Sequence, residues 1–97
     1  MTKIEVLSLL QKHRAEIQRR FGVEHLALFG SVARDEMREG SDVDVLIKFQ
    51  GIATFDGYMD LKFYLETLLK TQVDLVVEDD IKPRMRPMIE KDLIRVA

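Results

Sequence analysis

Leu28-Phe-Gly-Ser-Val-Ala-Arg-Asp-Glu-Met-Arg-Glu-Gly-Ser-Asp-Val-Asp-Val-Leu-Ile47 is the stretch whose reading decides the fold. It leaves an apolar run, Leu26 to Phe29, turns at Gly30-Ser31, and after ten further residues enters a second apolar run carrying Asp42 and Asp44. Val43, Val45, Ile47 and Phe49 alternate there with Asp42, Asp44 and Lys48, and Leu46 alone breaks the pattern. That is the period of a half-buried strand. Residues two apart on a strand point the same way, so Asp42 and Asp44 project from one face. Two carboxylates that close repel each other unless a cation sits between them, and hard oxygen ligands suit Mg²⁺ or Mn²⁺.

A third acid fits the same geometry. Val73-Asp-Leu-Val-Val77 reads as another strand, with Val73, Leu75 and Val77 on one face and Asp74 on the other. If it pairs beside the Asp42 strand over a shared core, Asp74 lands next to the first two acids. Three converging carboxylates can hold two metal ions about 4 Å apart, the spacing of in-line displacement at phosphorus. Gly30 permits a tight strand-to-helix turn and close backbone approach. The helix that follows, expected over residues 31–37, aims its free N–H groups at a phosphate. The Ser31 hydroxyl adds a donor, and Arg34, one turn on, is a candidate for a phosphate oxygen.

Gly30-Ser31, ten intervening residues and Asp42-Val43-Asp44 together resemble the signature of the DNA polymerase beta nucleotidyltransferase superfamily. The resemblance is strongest to its minimal nucleotidyltransferase (MNT) branch and covers nearly the whole chain. The branch often reads Gly-Ser-x-Ala-Arg-Gly-Glu; here Asp35 stands at the glycine, and Val32 stands where a second arginine is common. The resemblance implies an α/β (α+β) fold, a small mixed sheet with flanking helices. It implies transfer of a nucleotide from ATP, with two Mg²⁺ ions (Mn²⁺ as an alternative). Asp42, Asp44 and Asp74 would then be catalytic and metal-ligating, and Gly30, Ser31 and Arg34 nucleotide-binding. Chains of this type are commonly encoded as antitoxins beside HEPN-domain ribonuclease toxins, and the resemblance implies transfer of AMP to a toxin tyrosine within a hetero-oligomer.

Composition narrows the alternatives. A chain of 97 residues, 46% apolar and 33% charged, is expected to be one compact domain over residues 1–97 with a small core. Without cysteine it has neither disulfide nor thiolate metal site, which fits a cytoplasmic location. Its N-terminus carries charges through its apolar run and does not read as a signal peptide. A net charge of −2 argues against direct nucleic-acid binding, which asks for a basic stripe. The clusters Lys12, His13, Arg14 with Arg19, Arg20, and Lys82 with Arg84, Arg86, read as solvated helix faces. No apolar run approaches membrane-spanning length.

Along the chain, Thr2 and Glu5 form a capping box for one N-terminal helix, with Ile4, Leu7, Leu10, Ile17 and Phe21 as its apolar positions and Gly22 as its C-cap. Thr54 caps a central helix over residues 55–70, with Leu61, Leu65, Leu68 and Leu69 facing the core. Pro87 opens a short helix, and residues 93–97 form a last strand or tail. His13 and His25 lie apart from other ligands, Tyr58 and Tyr64 read as packing, and the methionines as gap fillers. About twenty residues follow the Asp74 strand, too few for a second core that would hold an acceptor. The acceptor is therefore expected to bring its own surface, as a protein does. The alternative is a non-catalytic antitoxin that blocks the toxin sterically in a stoichiometric complex, against which three clustered acids argue.

Overall fold

The computed structural model describes residues 1–97. Its order is α1 (Lys3–Lys12), α2 (Arg14–Phe21), β1 (Val23–Phe29), α3 (Gly30–Ala33), β2 (Val43–Phe49), α4 (Phe55–Leu69), β3 (Val73–Val77), two 3₁₀ turns (Glu78–Asp80, Pro83–Met85), α5 (Arg86–Glu90) and β4 (Ile94–Arg95). The strands form one mixed sheet in the order β3-β2-β1-β4. β1 runs antiparallel to β2 and β4, and β2 runs parallel to β3. The expected α/β class with a small mixed sheet is what forms.

The alternation read in the sequence sets the layers. Val43, Val45, Ile47, Val73, Leu75 and Val77 point into one core with Val6, Leu10, Ile17, Leu61, Leu65 and Leu69 from the long helices. Asp44 and Lys48 of β2 and Asp74 of β3 alternate with those core residues and so belong to the opposite face. There Lys48 pairs with Asp79 at 3.8 Å, and His25 approaches Glu78 at 3.6 Å. No polar side chain is buried in the core. No helix is long and apolar enough to cross a membrane.

Caps fix the element ends. Thr2 and Glu5 form the capping box, Thr54 Oγ1 accepts from the Gly57 N–H at 3.0 Å, and Gly22 closes α2 at φ +64°. Two expectations need correction. The N-terminal helix breaks at His13, whose N–H and ring Nδ1 both lie at the Leu9 carbonyl (3.2 and 2.9 Å). Its buried stripe is Val6, Leu10 and Ile17, while Ile4 is 73% exposed; residues two apart lie on nearly opposite sides of a helix, so a Val6 face turns Ile4 outward. The helix after the Gly30 turn also stops early, at Ala33 rather than residue 37, because Asp35 takes the left-handed conformation at φ +57°. Asp35 stands where the family pattern often has glycine, the residue that adopts this conformation without steric cost. It has acquired a role of its own: Oδ1 accepts the Lys3 N–H at 3.1 Å and ties the start of α1 to this turn.

Candidate active site

The parallel register between β2 and β3 pairs Val43 with Val73, Asp44 with Asp74 and Val45 with Leu75. Same-register neighbours on adjacent strands lie about 4.8 Å apart in the pairing direction, so Asp44 and Asp74 stand side by side. On the other flank of β2, Asp44 pairs with Phe29 at the end of β1. The chain turns at Gly30 immediately after. Asp42 immediately precedes β2 and is exposed, carried on a turn closed by Ser41, whose Oγ accepts the Arg38 N–H at 3.1 Å. Two contacts hold the start of β3: the Val43 N–H donates to the Gln72 carbonyl, and Glu66 Oε2 accepts the Val73 N–H, both at 3.0 Å. Glu66 therefore reaches from α4 to fix the residue next to Asp74.

Gly30 is demanded twice over. Its φ is +70°, and a Cβ there would lie 3.0 Å from Asp44 Cγ and closer still to Oδ2. The space a side chain would fill is occupied by the Asp44 carboxylate. Gly22 and Gly40 also have positive φ but nothing within 4 Å of an added Cβ, so Gly30 alone of the left-handed glycines is closed by a neighbour as well. Ser31 follows, half-buried, with Val32 and Ala33 buried behind it. N–H groups of a helix's first turn have no intrahelical acceptor.

The acids act on one another. The Asp44 carboxyl is pushed up from its ordinary 3.8 to about 6, first by burial, then by the charge of Asp74 and a proton-sharing contact with it, then by the charge of Asp42; the Arg34 cation pulls weakly the other way. All three sequence-named acids thus interact electrostatically. They do not already form a cage: no three Asp, Glu or His side chains stand at metal-ligating spacing. Asp44 and Asp74 form the close pair, with Asp42 exposed two residues before Asp44. Hard carboxylate oxygens that repel one another suit a hard divalent cation, so the donor set fits Mg²⁺ or Mn²⁺.

Arg34 lies just beyond α3. Its Nη1 donates to Asp92 Oδ2 at 2.8 Å and its Nε to Glu36 Oε2 at 3.4 Å, and these acceptors raise its pKa. Asp92 and Glu66 are the residues that sequence reasoning missed. Neither sits in an alternating pattern, and Asp92 lies in the turn before β4, linked to the site only by its contact with Arg34.

The chain is similar to known proteins in both sequence and fold. The family described as nucleotidyltransferase domain matches residues 10–96. The protein adenylyltransferase MntA of Thermococcus cleftensis is 36% identical over 96 residues, covering 99% of this chain and 97% of that one. A solved minimal nucleotidyltransferase structure is similar at a TM-score of 0.81 and 36% identity, covering 97% of this chain and 95% of the other. Similar in fold, at a TM-score of 0.69 and 16% identity, is a chain from a structure of the tri-AMPylated Shewanella oneidensis HEPN toxin with its MNT antitoxin; it covers 94% of this chain and 71% of that one.

Proposed function

The chain belongs to the nucleotidyltransferase domain family, and on that premise we propose that it is an antitoxin that transfers AMP from ATP to a tyrosine hydroxyl of a partner HEPN ribonuclease toxin. The observation that carries this reading is the Asp44–Asp74 pair beside a turn in which a side chain on Gly30 would displace the Asp44 carboxylate. The adenylyltransferase name of the Thermococcus relative supports the reaction, and the AMPylated toxin bound to a protein of this fold supports the partner.

In this reading Asp42, Asp44 and Asp74 would hold two Mg²⁺ ions. When bound, those ions polarise the α-phosphate, favour the ionised acceptor hydroxyl and neutralise the leaving pyrophosphate. The protein's own groups do the rest. The Gly30-Ser31 backbone and the Ser31 hydroxyl receive the β- and γ-phosphates, and the free N–H groups of Arg34 bind a phosphate oxygen. The acceptor oxygen bonds to the α-phosphorus as the bond to the β-phosphate oxygen breaks. Asp74, exposed on the edge strand β3, takes the hydroxyl proton. In-line attack places nucleophile and leaving group on opposite sides of phosphorus. The phosphate turn flanks Asp44 on the β1 side and Asp74 flanks it on the β3 side, so the acceptor enters over β3. An AMP on the toxin adds bulk and negative charge that repel an RNA backbone.

A turnover experiment tests this. Sub-stoichiometric protein with ATP and Mg²⁺ should inactivate an excess of the toxin encoded beside it, and the toxin should stay inactive after separation and gain adenylate mass. Asp74→Asn should abolish the mass gain while leaving complex formation largely intact. Inhibition that tracks molar ratio, needs no ATP and vanishes on separation would show a steric plug instead.

A further inference from the structure

We propose that Asp92 is a positioning residue of the transfer site, fixing the Arg34 guanidinium beside the Gly30-Ser31 turn so that its remaining N–H groups face a nucleotide phosphate. The inference rests on the nucleotide reading above and adds a residue to it.

A single side-chain contact places Asp92 there. β4 pairs antiparallel with β1, Arg95 opposite Ala27 and Ile94 opposite Leu28, and Asp92 lies in the turn two residues before β4. Asp44 stands against Gly30 from β2, and Asp92 reaches Arg34 from the turn before β4. The Asp92 side chain is 18% exposed, and Oδ2 accepts from Arg34 Nη1 at 2.8 Å across 58 residues of sequence. Glu36 also accepts from Arg34, at 3.4 Å, but lies two residues away on the same loop and is mostly exposed. It moves with Arg34 and cannot fix it relative to the sheet. Asp92 can, because the strand that follows it is paired to β1.

The donor inventory leaves Arg34 able to do both jobs. One N–H of Nη1 goes to Asp92 and the N–H of Nε to Glu36, while both N–H groups of Nη2 stay open. A guanidinium held at Nη1 by a carboxylate presents Nη2 in a fixed plane, from which its two N–H groups can reach phosphate oxygens. An ion pair with its cation this exposed adds little stability, so the consequence of the pair lies in orientation.

The test compares Asp92→Ala, Asp92→Ser and Asp92→Asn with wild type for Mg²⁺-ATP binding by calorimetry, alone and in an Arg34→Ala background. It adds the ¹⁵N signal of the Arg34 Nε–H in nucleotide-free protein. Asp92→Ala and Asp92→Ser should weaken ATP about tenfold, or about 1.4 kcal/mol. Asp92→Asn, which keeps an acceptor oxygen, should recover most of the affinity. In the Arg34→Ala background the Asp92 substitutions should have no further effect. The Arg34 Nε–H signal should shift in Asp92→Ala and Asp92→Ser, with melting temperature little changed. Tighter ATP binding by Asp92→Ala and Asp92→Ser would overturn the proposal and make Asp92 a competitor of phosphate. An unmoved Arg34 signal, or equal losses with and without Arg34, would overturn it too. A wild-type protein that binds no ATP refutes the nucleotide reading itself, an outcome distinct from a wild type that binds and an Asp92→Ala that binds equally.

Discussion

Asp44→Asn should stabilise the metal-free protein at alkaline pH, and the size of the effect follows from the site. The folded Asp44 carboxyl sits at about 6 against an ordinary 3.8, so the folded state binds that proton more tightly than the unfolded chain does. Below about pH 4 the group is protonated in both states and carries no penalty. As pH rises through about 6 the folded protein must ionise a carboxyl beside Asp74 and Asp42, and stability is lost. At 1.36 kcal/mol per tenfold in proton affinity the ceiling is about 3 kcal/mol. Much of the carboxylate meets solvent, and screening reduces this to about 1 kcal/mol. Asparagine keeps the shape and removes the titration. In chelator near pH 8, urea denaturation should show Asp44→Asn more stable by about 1 kcal/mol, and a melt should rise by about 4–8 °C. The gap should close through about pH 6 and vanish near pH 4. Refutation is direct: a variant no more stable than wild type at alkaline pH, or a gap that ignores pH, means that Asp44 is not held against its neighbours.

Mg²⁺ at ten times its Kd should restore about 1.4 kcal/mol to wild type near pH 8 and little to Asp44→Asn, read as the shift in the same urea midpoint. Gly22→Ala should cost about 1 kcal/mol for its left-handed φ; Gly30→Ala should cost more, since its Cβ also meets Asp44, and should lose ATP binding by calorimetry, whereas Gly22→Ala keeps it. Asp35→Ala should lose about 2 kcal/mol, combining the Lys3 hydrogen bond with strain at φ +57°. Asp35→Gly, which loses the bond but relieves the strain, should stay within about 0.5 kcal/mol of wild type; denaturant midpoints separate the two.

Strand alternation made most of the site legible. The period of two through Val43 to Phe49 and Val73 to Val77 set both the core face and the acid face, and it foresaw the Asp44–Asp74 juxtaposition, which the register places pair to pair. Gly30 was legible as a turn but not as a cradle, because the partner that forbids a Cβ is fourteen residues away on another strand. Asp92 left no trace: a carboxylate in a turn acquires meaning only from a contact across 58 residues of sequence, made once β4 has paired with β1. The N-terminal helix misled for a different reason. Ile4, Leu7 and Leu10 satisfy the spacing of one face, while Val6 and Leu10 satisfy that of another, and the sequence does not say which face meets the sheet. Packing chose the Val6 face, and the helix is interrupted at His13.

The core of this fold is wholly apolar, and no buried polar side-chain atom lacks a partner. Three features that work against stability meet around one turn: a carboxyl lifted to about 6 by burial and like charge, a glycine at φ +70° against that carboxyl, and an aspartate at φ +57° a few residues on. Features that work against stability persist where they serve something else. In the function proposed above, a divalent cation would relieve the like charge that, after burial, lifts Asp44, and the turn that admits no side chain would let backbone N–H groups approach a phosphate. On that proposal the cost to the metal-free fold and the affinity for a metal–nucleotide complex come from the same atoms. Substitutions that improve the first, Asp44→Asn above all, should remove the second.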